Sequence, residues 1–266
     1  MWRNELSTLF RRRRTQAMLL ALMAVPITIT LVIRFAGGPD SGEGPTFLSQ
    51  VTHNGVFAVL AGLTVTLPFF LPMAVAVVAG DGIAGEGSLG TLRYVLTRPS
   101  GRSRLLASKG VTTLTFCLAA TAVVAVTGLL MGVIFFPVGR ITTLSGDTLP
   151  LVQGMLRISL SAVLIAVSLL GLAAIGLFIS TLTDVPVGAM AGTLGVFILI
   201  GVLDALPQTA SLHPWLLTNN WLSYTDIMRT HIQWSGVIRN IRLQGFYVVL
   251  FGALAWARFT SKDILA

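Results

Sequence analysis

Of the 266 residues, 54% are hydrophobic and only 11% are charged; the mean hydropathy is +0.84 and the formal net charge is +8. Soluble domains carry roughly 25% charged residues, so this composition excludes an ordinary soluble enzyme and predicts an all-α integral membrane protein, a single membrane domain over 1–266. With roughly 20 residues per span, there is room for about six spans and their connections. Basic charge beside apolar runs is an orientation signal in membrane proteins, so the lipid bilayer is the expected partner and nucleic acid is not. The single cysteine, Cys117, lies inside an apolar run and excludes both an intrachain disulfide and a multi-cysteine metal site.

Residues 1–16 place Trp2, Leu6, Leu9 and Phe10 near one side of a helix and follow them with Arg11 to Arg14. This pattern predicts an N-terminal interfacial helix on an anionic cytoplasmic leaflet. The apolar run at about 17–36 is long and lacks a small-x-small cleavage site, so it reads as a first span and not as the core of a signal peptide. The Gly- and Pro-rich stretch 37–54 carries Asp40 and Glu43 and no basic residue, as an external loop should.

A second span is expected at about 55–79. Pro68 and Pro72 each remove a backbone hydrogen bond there, which predicts a bend and a possible hinge. The segment 80–107 is the most polar, turn-rich connector in the chain and reads as a cytoplasmic loop. The third span, about 108–136, is longer than a bilayer requires and is therefore tilted or projecting. A short external loop, 137–152, leads to a fourth span at about 155–180, and a tight connector with Asp184 leads to a fifth at 186–205. Residues 207–240 form the larger external region, where Trp215, Trp221, Tyr224 and Trp234 suit headgroup depth. The sixth span falls at about 241–259.

Charge supports this threading. The segments assigned inside hold Arg3, Arg11 to Arg14, Arg93, Arg98, Arg102, Arg104, Lys109, Arg258 and Lys262, which is 12 basic residues. Those assigned outside hold Arg34, Arg140, Arg157, Arg229, Arg239 and Arg242, which is 6. That bias predicts both termini in the cytoplasm. The pairs Gly128/Gly132 and Gly188/Gly192, with Gly195 one turn on, allow close helix approach, either within one subunit or, for Gly188, Gly192 and Gly195, at a subunit contact.

Catalytic chemistry is missing from the pattern. The centres of the spans contain no Asp, Glu, Lys, Arg or His, which disfavours an ion-coupled carrier needing ligands at mid-membrane. His53, His213 and His231 have no HExxH spacing, so no metal is expected. Gly85, Gly87 and Gly90 match GxGxxG, but they follow a membrane helix and not a strand. There is no GxxxxGK[ST] loop, so no catalytic residues and no bound cofactor are expected on this chain.

Within 80–109, Glu86, Gly90-Thr91-Leu92, Leu96-Thr97-Arg98-Pro99, Ser103-Arg104-Leu105-Leu106 and Lys109 resemble the first cytoplasmic loop of type-2 ATP-binding cassette (ABC) transporter permeases. The likeness is strong over about 30 residues, and elsewhere it is one of topology. It implies a coupling helix between spans 2 and 3 that docks on a separate ABC ATPase subunit, with ATP and Mg on that partner, and a working unit with two permease chains, identical or different. The residues carried over to partner coupling are Glu86, Leu89, Gly90, Thr91, Leu92, Arg93, Leu96, Thr97, Arg98 and Pro99. Their own pattern agrees: Ser88 is a fair N-cap, Thr91 to Leu96 can form one short helix, and Arg98-Pro99 stops it. Leu89, Leu92 and Leu96 then share a side, leaving Arg93 available to a partner.

The expectation is the permease subunit of an ABC exporter for an amphipathic, lipid-like or drug-like substrate, resident in a cytoplasmic (inner) membrane. An excess of 16 Arg over 2 Lys hints at a high-GC bacterial source. The alternative is a non-transporting membrane scaffold or sensor whose cytoplasmic loop binds a regulatory partner; a stand-alone carrier comes third.

Overall fold

The computed structural model describes residues 2–37, 47–88, 102–144 and 146–261. Nine α-helices carry the fold among these residues: α1 (Trp2–Arg11), α2 (Arg13–Ala36), α3 (Phe57–Thr66), α4 (Phe70–Ser88), α5 (Arg102–Phe135), α6 (Leu151–Ser168), α7 (Leu170–Leu182), α8 (Pro186–Ala205) and α9 (Trp234–Ser261). Taking α6 and α7 as one run, six helical segments among the described residues are long and apolar enough to cross a membrane: α2, α4, α5, α6–α7, α8 and α9. In α4 and in α6–α7, 61% of the most apolar window is buried, against 17–33% in the other four, so these two runs form the centre of the bundle.

Helix breaks follow the local chemistry. The apolar stretch read as one span over 55–79 is two helices with a break at 67–69. Pro68 lies in that break because it has no N–H to continue the ladder. Pro72 falls in the first turn of α4, where the amide has no intrahelical partner in any case, and it leaves α4 uninterrupted. α4 then runs on to Ser88, so the first part of the expected polar connector is helical, and Ser88 closes α4 with its hydroxyl donating to the Gly85 carbonyl at 3.0 Å. Four glycines in 80–88 make this a poor helix by propensity. Packing overrides it: a Cβ on Gly80 would lie 2.8 Å from the Met190 backbone nitrogen of α8, so only glycine allows the two backbones to meet there. At the far side of the connector, α5 begins at Arg102, inside the expected loop.

α6 and α7 part at Leu169, and the groups freed by that break are taken up by α9. Gln244 Oε1 accepts the Gly171 N–H at 3.2 Å, while its Nε2 donates to the Leu217 carbonyl at 3.0 Å and to Asn240 Oδ1 at 3.2 Å. Asn240 Nδ2 donates to Ser168 Oγ at 2.6 Å. Both amide side chains are buried, so α9 enters the bundle as helix from Trp234, seven residues before the expected start of the sixth span.

Between α5 and α6 a two-stranded hairpin pairs Ile141 with Leu149 and Thr142 with Thr148. It is bonded to the 3₁₀ segment Trp221–Met228: Leu144 N–H donates to the Met228 carbonyl at 3.0 Å, and Arg157 of α6 donates to the carbonyls of Ile227 and Arg229 at 3.2 and 2.5 Å. Tyr224, fully buried in this segment, shares a 2.7 Å hydrogen bond with the Thr64 hydroxyl of α3. Burial raises its phenol pKa, and that hydrogen bond acts in the opposite direction.

Gly128 and Gly132 pack within the chain. A Cβ on Gly132 would fall on the Gly55 carbonyl oxygen, and one on Gly128 would lie 2.8 Å from the Ala58 carbonyl oxygen. Backbone contact of this kind cannot accept a methyl group without displacing a helix. Gly132→Ala is therefore expected to lower stability by about 1–3 kcal/mol or more, whereas Gly245→Ala on α9, which faces open space, should change it by no more than about 0.5 kcal/mol. Thermal unfolding of the purified variants in detergent checks both.

Candidate functional site

The end of α4, the start of α5 and the N-terminal helices meet in a cluster of six charged side chains. Arg12 has an extended backbone (φ −66°, ψ 127°) that separates α1 from α2, so α1 can turn back across the ends of neighbouring helices. Glu5 of α1 thereby reaches Lys109 of α5, whose Nζ donates to Glu5 Oε2 at 2.7 Å and also to Glu86 Oε1 of α4. Beside it, Arg12 Nη1 donates to Asp81 Oδ2 of α4 at 2.5 Å, and Arg14 Nη1 lies 3.5 Å from Asp81 Oδ1. Three cations, Arg12, Arg14 and Lys109, thus face three carboxylates, Glu5, Asp81 and Glu86, and their formal charges cancel.

Burial divides the cluster in two. Lys109 is 8% exposed, Glu86 14% and Glu5 22%, while Arg12 and Arg14 are 41% and 56% exposed. The inner group is taken far from water, where a charge is tolerated only with partners at hydrogen-bond distance. The outer pairs remain solvated and are worth little each. Between these groups lies a small cavity of about 50 Å³, its wall mixing Arg12, Asp81 and Lys109 with the apolar side chains of Leu9, Met18 and Val78.

Of the residues carried over to partner coupling, Glu86 is described, and it lies inside this cluster beside Lys109. Leu89, Gly90, Thr91, Leu92, Arg93, Leu96, Thr97, Arg98 and Pro99 lie outside the described residues. Pro68 is exposed at the α3–α4 break and Pro72 is buried in α4. On α8, a Cβ on Gly192 would meet Ile179 of α7 at 3.3 Å, one on Gly188 would meet only Val185 at 3.8 Å, and one on Gly195 would meet nothing. Among the described residues, no group of three or more His, Cys, Asp or Glu is placed to hold a metal ion.

Glu5 and Asp81 were not singled out by their sequence pattern. An isolated acid in a basic N-terminus and an Asp at the polar end of an apolar run were the available signals, and neither names its partner. A second cavity, about 430 Å³ and mostly apolar, lies between α5, α7 and α9, with Leu106, Gly110, Leu177, Gly252 and Trp256 in its wall; the Trp256 indole N–H donates to Ser103 Oγ at 2.8 Å across one end.

Removing Lys109 leaves two largely buried carboxylates facing each other. Lys109→Ala is expected to cost about 3–5 kcal/mol, and Arg12→Ala less than about 1 kcal/mol. Combining Lys109→Met with Glu5→Gln and Glu86→Gln should recover much of the loss, because no buried charge is then uncompensated. Denaturant unfolding of the purified variants measures all three.

Several known proteins resemble the chain over part of its length. A protein described as the probable ABC transporter permease protein NosY of Stutzerimonas stutzeri is 30% identical over 148 residues, which covers 52% of this chain and 50% of that protein. The probable ABC transporter permease protein NosY of Pseudomonas aeruginosa is 34% identical over 107 residues, covering 40% of this chain and 35% of the relative. The uncharacterized protein YhcI of Bacillus subtilis is 32% identical over 113 residues, covering 42% and 33%. The chain thus matches half or less of the length of these relatives. A family model extends much further, matching residues 17–265, and by that match the chain belongs to the family described as protein of unknown function (DUF2705).

Proposed function

We propose that this chain is the membrane-spanning permease subunit of an ATP-driven ABC exporter, working with a separate ATPase subunit that binds ATP and Mg. The observation that carries this reading is the 30% identity over 148 residues to a protein described as a probable ABC transporter permease. The six apolar helices and the resemblance of residues 80–109 to a permease coupling loop support it. In this reading the end of the bundle that holds the ion cluster faces the cytoplasm, α1 lies at the membrane surface, and the chain pairs with a second permease, identical or different.

The ion cluster has a defined part in that mechanism. Residues 89–101 join α4 to α5, and Glu86 and Lys109 clamp the two helices together just before and just after this connector. A force applied to the connector by an ATPase is then delivered to α4 and α5 as a unit, and through Glu5 to α1. Arg93 and Arg98 pair with acidic groups of the partner, Leu89, Leu92 and Leu96 supply an apolar contact, and Glu86 transmits the load. The break at Pro68 is a hinge for the part of the path nearer the other end. Mostly apolar walls with Thr and Ser favour an amphipathic, lipid-like or drug-like substrate.

The test is co-expression with an ABC ATPase encoded beside this chain, followed by affinity purification. Arg93→Ala with Arg98→Ala is expected to reduce co-purification of the ATPase at least tenfold, while Glu86→Gln leaves co-purification intact and lowers ATP-dependent transport. An ATPase that never co-purifies with the wild-type chain would favour a scaffold or sensor; wild-type solute movement in liposomes without any ATPase would favour a stand-alone carrier.

A further inference from the structure

The α4 ladder contains an intruder. The Ser180 hydroxyl of α7, fully buried, donates to the Gly80 carbonyl at 2.7 Å and accepts the N–H groups of Ile83 and Ala84 at 2.9 Å each. Gly80 and Ala84 are the acceptor and donor of one i→i−4 helical bond, and the hydroxyl stands between them. A side chain inserted into the ladder is a recognised cause of local bending in a helix. Here it is supplied by a different helix, so the insertion and the α4–α7 contact are one feature.

The neighbourhood is built for a pivot. Gly80 rests backbone to backbone on α8 at Ala189 and Met190, and Gly176 of α7 faces Ala79 of α4 and Thr193 of α8, where a Cβ would lie 2.7 Å from the Ala79 Cβ. Three helices therefore meet at a point with almost no side chain between them. Beyond it, glycines at 82, 85 and 87 leave the end of α4 weakly helical by its own propensity. That end carries Asp81 and Glu86, the two α4 members of the ion cluster.

We propose that Gly80–Ala84 is a two-position hinge in α4, with the Ser180 hydroxyl as its latch. In the position described here, three hydrogen bonds join Ser180 to Gly80, Ile83 and Ala84. In the other, the Ile83 and Ala84 amides donate to the Ala79 and Gly80 carbonyls of their own helix, and Ser180 donates to the Gly176 carbonyl one turn back, a bond that serine in a helix readily makes. Each position holds three of these hydrogen bonds, and the straight ladder also gives the Ala79 carbonyl the Ile83 amide as its donor. The helix straightens in one and bends in the other, swinging the end of α4 against the bundle. Resting on the permease reading, this places the moving joint next to the ion cluster, with Pro68 on the far side of α4.

Hydrogen–deuterium exchange of the purified full chain in phospholipid nanodiscs tests the hinge without any ATPase. Ser180→Ala removes the latch and leaves only the straight ladder, so exchange of the Ile83 and Ala84 amides is expected to slow at least tenfold, with Leu71–Val78 unchanged. If the hydroxyl is merely a tie, its loss loosens the end of α4 and exchange there quickens; quickened or unaltered exchange overturns the proposal. Gly82→Ala, whose Cβ would make ordinary contact with Leu177 at 3.4 Å, stiffens the same turn without touching Ser180. It should also slow exchange severalfold, and it carries the test if Ser180→Ala does not fold. Slowed exchange with no co-purifying ATPase would keep the hinge and remove the permease reading; the reverse result would do the opposite.

Discussion

Every interruption of a helix in an apolar bundle releases backbone groups that lipid cannot satisfy, and the fold of this protein is arranged around the places where that happens. The α6–α7 break releases the Gly171 amide, and Gln244 comes from α9 to meet it. The 3₁₀ segment Trp221–Met228 ends in open carbonyls, and Arg157 comes from α6 to fill them. Ser180 enters α4 in the same manner. These polar side chains are few, yet each fixes a contact between segments that apolar packing alone would leave free to slide, because hydrocarbon surfaces have little reason to prefer one another over lipid.

The charged residues obey a related rule. Lys109 sits near the start of a helix of 34 residues, about 50 Å long against a hydrocarbon core of about 30 Å. Its charge is withdrawn from solvent and answered by two carboxylates from other helices. The N-terminal arginine run is correspondingly divided. Arg12 and Arg14 turn to Asp81, while Arg11 and Arg13 stay exposed. The first helix is therefore a brace, tied through Glu5 to Lys109 at the start of α5.

Much of the helical architecture was legible because it rests on composition and length. Apolar runs of spanning length are a local property, and Pro68 marks a break by its own chemistry. The glycine-rich end of α4 was not legible as helix, since its packing rests on backbone contact between Gly80 and Met190 of α8, more than 100 residues away. The same holds for Lys109, whose partner Glu5 is 104 positions distant. Asn240 fell at the edge of the expected external region and Gln244 just inside the expected sixth span, and the break at Leu169 explains why both are buried. Periodicity reports which face of a helix is apolar; it is silent on which distant polar group completes a broken ladder. The expectation of a coupling segment rests on a resemblance to a family, and residues 89–99 lie outside the described residues.

The contact between Gly55 and Gly132 acts at the opposite end of α5 from the ion cluster. With two backbones touching and no side chain between them, α5 cannot slide lengthwise past the start of α3 without driving a neighbouring side chain into a carbonyl. It can still tilt and twist there, since a glycine contact is smooth on all sides. With sliding blocked, the freedom this contact leaves to α5 is rotation about a fulcrum near Gly132. The long arm of that lever is the rest of α5, which runs from Gly132 back to the ion cluster at Lys109.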